Sequence, residues 1–265
     1  MKIIFLLFFI SSLLFSNVYY SKVKPYEIRN ISANVSGLVV FSDEDMLGKR
    51  LSSTSYIKID SSLDKKELKS TKEKLVSLNA ILKSNSVILE NTEKLLEKKR
   101  KNYERIASLK IKSDVEKNRE FYDLILSENQ YLSIKKEIDN YKINILDLKF
   151  KIAFLEKKIS DKNLKAKDFV LYALLVKEGQ VVNISTPLAK VADISKAKLT
   201  IFLDSEDMLE YKSKFLYIDG VKTDYKIDRI INIADSKNIS KYKAEIIIKS
   251  PKVFSKLVKV ELRDE

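Results

Sequence analysis

The sequence contains no cysteine, no histidine and no tryptophan, and its 265 residues include only four glycines and three prolines. Without cysteine there is no disulfide, and without cysteine and histidine there is no thiolate or imidazole ligand for zinc. A Ser-His-Asp triad is also excluded. No other catalytic constellation is evident in the sequence. We therefore expect a protein that is not an enzyme and that has no cofactor and no metal site.

Positive charge is abundant, with a formal net charge of +13 at pH 7. Clustered lysine and arginine would favour a nucleic-acid ligand. Here the lysines are scattered among glutamate and aspartate through the middle of the chain, a pattern that is typical of solvated helix faces. We therefore expect no nucleic-acid partner.

The N-terminus has the pattern of a secretory signal peptide. Lys2 precedes the apolar run from Ile3 to Ile10, and small residues follow at Ser11 and Ser12. The run is shorter than the ~20 apolar residues that cross a bilayer. We predict a signal peptide at residues 1–16 and a mature chain in the periplasm. The alternative is an uncleaved segment that anchors the chain to the inner membrane.

The middle of the chain predicts long helices. Between Leu63 and Lys165 there is no glycine or proline, the two residues that most disfavour a helix interior. Apolar residues recur with the spacing of a coiled-coil seam. In the first half these are Leu68, Leu75, Leu82, Leu89, Leu96 and Tyr103; in the second half they are Tyr131, Ile134, Ile138, Tyr141, Ile145, Leu148, Ile152, Leu155 and Ile159.

The apolar pattern falters between residues 110 and 117, where Ser113 and Glu116 resemble the start of a helix. We predict two antiparallel helices of roughly 70 Å each, with a turn at 110–113. A parallel homodimeric rod is the alternative. Asn85, Thr92 and Lys99 fall three residues after seam leucines. We expect these polar residues to face water and Ile81, Ile88 and Leu95 to make the contact instead.

The segments on either side of the helices are rich in strand-forming residues and resemble each other. A single offset of 131 residues aligns Gly37 with Asp168, Gly48 with Gly179, Leu51 with Val182 and Ile57 with Leu188. Each copy is too short to bury a face by itself. We therefore expect the two copies to pair, with the helical hairpin leaving from one copy and returning to the other.

These half-motifs resemble those of the membrane fusion proteins, the HlyD-like periplasmic adaptor subunits of tripartite efflux pumps and type I secretion systems. The first half is Ile31–Val39 (ISANVSGLV), Gly48 and Ile59–Asp60. The second half is Val176–Val182 (VKEGQVV) and Pro187–Asp193 (PLAKVAD). The order of these motifs around the hairpin makes the resemblance specific.

The resemblance implies an α+β multidomain protein in which a split lipoyl-like β-sandwich carries an inserted antiparallel coiled-coil α-hairpin and is followed by a small β-barrel. The lipoyl-like (barrel-sandwich hybrid) domain would comprise residues 28–62 and 164–196, the hairpin 63–163 and the β-barrel 197–265. In the β-barrel segment, Ser205–Tyr211 predicts one short helix capped by Ser205.

The function implied is that of a periplasmic adaptor between an inner-membrane transporter, ATP-driven (ABC) or proton-driven, and an outer-membrane channel. Copies of the chain would form a homo-oligomeric ring. Two alternatives are a structural periplasmic coiled-coil protein without a transport role and a substrate-binding module.

The resemblance also suggests site residues. Family members that dock on an outer-membrane channel carry Arg, Leu and Ser at the hairpin tip, which correspond here to Arg105, Leu109 and Ser113. The serine follows the leucine more closely than in the family pattern. Gly37, Gly48, Asp168 and Gly179 are predicted to form the turns of the two half-motifs, with Asp168 where the family has glycine.

Overall fold

The computed structural model describes residues 17–231 and 241–264, so the predicted signal peptide lies outside the described residues. The helices are α1 (Ser62–Ala107), α2 (Asp114–Asp161) and α3 (Ser205–Glu210), with a single 3-10 turn at Glu44–Met46. The strands, in chain order, are β1 (Val18–Lys22), β2 (Lys24–Ser32), β3 (Gly37–Ser42), β4 (Ile57–Ile59), β5 (Asn163–Leu164), β6 (Val170–Leu174), β7 (Val181–Val182), β8 (Pro187–Leu203), β9 (Phe215–Ile218), β10 (Val221–Thr223), β11 (Ile227–Ile231), β12 (Tyr242–Lys249) and β13 (Leu257–Arg263).

Helices α1 and α2 pack against each other in antiparallel orientation. Ion pairs join the start of α1 to the end of α2, as in Lys72–Glu156 at 2.6 Å, and the end of α1 to the start of α2, as in Lys99–Asp123 at 3.0 Å. Their 46 and 48 residues correspond to about 70 Å each. No helix among the described residues is both long enough and apolar enough to cross a membrane.

The seam between these helices differs from the prediction on the α1 side. Thr92 is 6% exposed, whereas Ile88 is 47% exposed, and Ile81 and Leu95 are exposed to a similar degree. The expectation that Asn85, Thr92 and Lys99 face water and that Ile81, Ile88 and Leu95 make the contact is therefore wrong: Thr92 is buried, and Asn85 and Lys99 are half-buried. Seam positions in a heptad are separated alternately by three and four residues. The position three residues after a seam leucine is therefore also a seam position, whether its residue is polar or apolar.

Of the polar seam residues Thr92 is buried and Asn85 and Lys99 are half-buried, and each has a hydrogen-bond partner. The Thr92 hydroxyl donates to the Ile88 carbonyl at 2.7 Å, and the Asn85 amide donates to the Ile81 carbonyl at 3.1 Å. Lys99 instead pairs with Asp123 of α2. On the α2 side every predicted seam residue from Tyr131 to Ile159 is buried or half-buried, which confirms that part of the prediction.

Strand β8 connects two β units. Its 17 residues correspond to about 56 Å of extended chain. Leu188, Ala189 and Val191 enter the core of one unit, here named the split unit, which is built from β2–β7 and the first part of β8. Ala197, Leu199, Ile201 and Leu203 enter the core of the other, here named the terminal unit, which is built from β1, the end of β8 and β9–β13.

The split unit is assembled from both sides of the helices. Gly37 pairs with Val182, and the Asp168 amide donates to the Leu51 carbonyl at 3.1 Å. These two pairs are related by the offset of 131 residues, since residue 168 corresponds to 37 and residue 182 to 51. The repeated half-motifs therefore contact each other in a reciprocal way.

The terminal unit includes β1 near the N-terminus, whereas the sequence predicted that this unit begins at residue 197. β1 pairs with β13 along its whole length, and Tyr19 and Val23 lie in the same core as Leu199 and Ile201. The Tyr19 hydroxyl also donates to the buried Asp207 carboxylate of α3 at 2.5 Å. The N-cap position of α3 is occupied by Asp204 rather than by the predicted Ser205, which is already the first residue of the helix, and the Asp204 side chain makes no capping hydrogen bond.

A buried ion-pair cluster closes the base of the hairpin. The Asp64 carboxylate of α1 accepts hydrogen bonds from Lys158 at 2.8 Å and Lys162 at 2.5 Å, and its side chain is 7% exposed. Burial alone would raise the pKa of Asp64, but the two lysines outweigh this effect and hold the pKa below its ordinary value. The cluster fixes the register where both helices meet the split unit.

We predict that Asp64→Asn lowers the free energy of unfolding by about 3 kcal/mol at pH 7, because the buried Lys162 and the half-buried Lys158 lose their counter-ion. Urea unfolding measures this. A carboxylate with a lowered pKa stabilises the fold above its unfolded pKa, and this stabilisation is lost as the pH falls through the folded pKa. The difference between the two chains should therefore disappear in acid.

Glu90→Gln is the matched control, because Glu90 forms an exposed ion pair with Lys94. Such pairs contribute about 0–1 kcal/mol. An Asp64→Asn effect no larger than that of the control would contradict the importance assigned to the buried cluster.

Candidate docking tip of the helical hairpin

The hairpin tip is a tight connection of six residues, 108–113. The Leu109 amide donates to the Ile106 carbonyl at 3.2 Å, which tightens the last turn of α1. Helix α2 then begins with a capping box: the Glu116 amide donates to the Ser113 hydroxyl, and the Glu116 carboxylate accepts from the Ser113 amide at 3.1 Å. This confirms the helix start predicted from Ser113 and Glu116.

The tip brings the three predicted docking residues into one short segment, but in different states. The Arg105 guanidinium is exposed and donates to the Asn102 side chain at 2.8 Å. Leu109 is exposed. The Ser113 hydroxyl, by contrast, is already engaged in capping α2, so its part in any docking contact is limited by its structural role.

Two apolar residues at the tip were not identified from the sequence. Ile111 is 89% exposed and Val115 is 79% exposed, more than Leu109 at 39%. A signal was available, because Ile111 lies inside the predicted turn and neither residue fits a seam position. The three residues together give the tip an exposed apolar surface.

Basic residues surround this apolar end. Lys110 is exposed, and Lys112 pairs with Glu116 at 2.9 Å. Just below, a groove of about 620 Å³ on the side of α1 is lined by Leu95, Asn102 and four basic side chains, those of Lys98, Lys99, Lys101 and Arg105. The arrangement suits a partner that offers apolar side chains together with carboxylates or carbonyl groups.

The predicted half-motif turns lie at the other end of the hairpin, in the split unit. Gly48, Asp168 and Gly179 have φ angles of 77°, 71° and 87°, in the left-handed region. Asp168 therefore occupies a conformation that glycine adopts more easily. Gly37 differs, because its φ of 159° is extended; a Cβ there would lie 2.7 Å from the Ile59 side chain, so close packing excludes a larger residue.

No family model matches the sequence, and no curated protein sequence matches it significantly. Solved structures do match. The structure of MacA from Actinobacillus actinomycetemcomitans aligns with a TM-score of 0.72 and 20% identity, covering 93% of this chain and 78% of that one. The membrane fusion protein Spr0693 from Streptococcus pneumoniae R6 aligns with a TM-score of 0.54 and 11% identity, covering 94% and 100%.

This chain has the membrane fusion protein fold. A MacA-MexA chimeric protein, which contains the Pseudomonas aeruginosa MexA α-hairpin domain, also aligns, with a TM-score of 0.55 and 16% identity over 94% of this chain and 82% of that one. The resemblance stated from the half-motifs is thus confirmed at the level of the fold.

We predict that Ser113→Ala destabilises α2 by about 1 kcal/mol, because the Glu116 amide loses its acceptor. Chemical denaturation measures this. Ser113→Asp should restore most of the loss, since aspartate is also a good N-cap residue. If Ser113→Ala leaves stability unchanged, the capping contact is not significant, and Ser113 is available for another role.

Proposed function

We propose that this chain is a periplasmic adaptor that links an inner-membrane transporter to an outer-membrane channel for efflux or secretion, and that it is not an enzyme. The observation that carries the proposal is the hairpin itself: about 70 Å of paired helices with an exposed apolar tip, on a membrane fusion protein fold. An adaptor between two membranes requires a long spacer with a surface at its end that can bind a partner.

In this proposal the β units are the domains expected from the half-motifs. The split unit would be a lipoyl-like β-sandwich in two halves with the coiled-coil hairpin inserted between them, and the terminal unit would be a small β-barrel. The terminal unit would contact the transporter, whether ATP-driven or proton-driven, and the tip residues Arg105, Leu109 and Ile111 would contact the channel. Residues 1–16 would direct export to the periplasm, or remain as an inner-membrane anchor.

The strand register supports positions for the N-terminal segment and the helical hairpin at opposite ends of the two β units. β8 runs from Pro187, which pairs with Ser32 in the split unit, to Leu203, which pairs with Tyr242 in the terminal unit. Val18 pairs with Glu261 near the Leu203 end of the terminal unit, so the N-terminal segment enters at the end farther from the split unit and its helices. An N-terminal anchor would then lie away from the hairpin.

The exposed face of α2 supports assembly of several copies. Ile143, Leu146, Phe150 and Phe154 are spaced so that they share one helix face, and each is more than half exposed. Phe150 alone is 77% exposed. In the proposed ring this apolar stripe packs against the neighbouring copy, since large exposed apolar patches mark interaction surfaces.

We predict that a photo-crosslinking amino acid at Leu109 or Ile111 captures an outer-membrane protein in cells, because these side chains project from the tip. Mass spectrometry of the cross-linked product identifies it. The same group at Val76, an apolar position on the shaft of α1 whose exposure of 70% lies between those of the two tip positions, is the control and should not capture that protein.

Capture of no outer-membrane protein from either tip position would contradict the docking proposal. It would favour a structural coiled-coil protein. If the terminal unit cross-links only to soluble proteins that carry small molecules, and not to a transporter, the result would instead favour a substrate-binding module.

We predict that Phe150→Asp weakens self-association tenfold or more, because burying a phenylalanine contributes about 1.5–3 kcal/mol. Sedimentation velocity over a concentration series measures this. Val253→Asp introduces the same charge at an exposed position of the terminal unit and should leave association unchanged. A Phe150→Asp chain that associates like the unmodified chain would contradict the assigned interface.

A further inference from the structure

A groove in the terminal unit is not explained by the adaptor role. Its volume is about 380 Å³, within the range of small-molecule sites. It is lined by the segment that follows α3, by β9 and β13, and by the start of β11. We propose that this groove binds an anionic amphiphile, namely the phosphate head group of a bilayer lipid together with the first part of its acyl chains.

The floor of the groove is apolar. Leu216 of β9 and Leu262 of β13 are buried members of the terminal core, and Ile227 of β11 packs against the same core. Acyl carbons placed on this floor would be removed from water, at about 0.8 kcal/mol for each buried methylene group. The floor therefore accounts for the apolar part of the ligand.

The walls supply polar and cationic groups. Tyr211 and Tyr225 line the sides, with their rings partly buried against the terminal core and each carrying a hydroxyl. Such side chains suit a boundary between apolar and aqueous surroundings. Lys212 and Lys226 are exposed, and within the described residues neither forms an ion pair with a carboxylate. Lys212 Nζ lies 6.0 Å from the centroid of the Tyr211 ring, a contact that leaves its charge unneutralised. Two ammonium groups without a carboxylate partner, above an apolar floor, match an anionic head group with attached chains.

The third lysine of the groove has a different role. Lys214 Nζ donates to Asp207 at 2.8 Å and lies 3.1 Å from the Glu210 carboxylate, so its charge is already balanced. It fixes the segment after α3, which holds Lys212 in place. The remaining positive charge of the lining therefore comes from Lys212 and Lys226.

The position of the groove supports a lipid as the source of the ligand. The Asp207 carboxylate that binds Lys214 also accepts a hydrogen bond from Asn17 at 3.1 Å. Asn17 directly follows residues 1–16, which contain the apolar run Ile3 to Ile10. When that segment enters a bilayer, during export or as an anchor, the side of the groove formed by the segment after α3, which includes Lys212, is brought close to the lipid head groups.

The test uses the full chain and soluble lipids with two hexanoyl chains, with affinity measured by calorimetry. Dihexanoyl phosphatidylglycerol should bind at least tenfold more tightly than dihexanoyl phosphatidylcholine, and more tightly than glycerol phosphate or inorganic phosphate. Lys212→Glu with Lys226→Glu should weaken the binding of phosphatidylglycerol by about tenfold or more, because two charge-assisted contacts are replaced by repulsion.

Lys24→Glu with Lys252→Glu is the matched control, since these exposed lysines do not line the groove and Lys24 lies on β2, which β8 and β12 separate from β11. Circular dichroism verifies that both variants keep the fold. Equal binding of both lipids, equal loss in both variants, or binding of inorganic phosphate as tight as that of the lipid would each overturn the proposal. Binding that appears only in a chain starting at Asn17 would also overturn it, because the groove would then be filled by the chain's own N-terminal segment.

Discussion

The length of the helical hairpin depends on the seam between α1 and α2. The side chains that form this seam differ along its length. Near the base, isoleucine and leucine of α2 are buried against the leucines of α1, and Asp64 is held by two lysines. Towards the tip, Thr92, Lys99 and Ser127 replace apolar residues, and cross-helix contacts such as Asn102–Glu120 at 2.7 Å join the helices. Polar seam residues fix register but stabilise less than apolar ones. Polar residues are buried along the whole seam, since Thr71 near the base is also buried. The pairing is held at the base by the Asp64 ion pairs and towards the tip by cross-helix hydrogen bonds.

Strand β8 gives the two β units a fixed relation. Because one continuous strand contributes to both cores, neither unit can fold as a self-contained stretch of sequence. The same holds for the N-terminus, since β1 pairs with β13 at the far end of the chain. Contacts of such large sequence separation are costly in loop entropy and must be repaid by burial, which the fully buried Leu199, Ile201 and Val260 provide.

The sequence predicted some parts of the structure better than others, for physical reasons. The α2 seam was correct because its apolar residues follow the heptad without interruption. On α1 the expectation failed at Asn85, Thr92 and Lys99, because it assumed that polar residues face water, whereas the heptad spacing places these residues in the seam. The part played by β1 could not be read from sequence, since residues 17–23 carry no sign of a partner some 240 residues away. At the tip, the family motif pointed to Arg105, Leu109 and Ser113. The structure shows that Ile111 and Val115 are the more exposed apolar residues there.

The central claim is that one chain forms the antiparallel hairpin, rather than two chains forming a parallel rod. Because the chain has no cysteine, nitroxide labels can be placed at Lys72 and Glu156 alone, two side chains that form an ion pair across the seam. Double electron–electron resonance should give a short distance that persists when labelled chain is diluted with an excess of unlabelled chain. Loss of the short distance on dilution would show that it joins different molecules, and would contradict the hairpin and the reach derived from it.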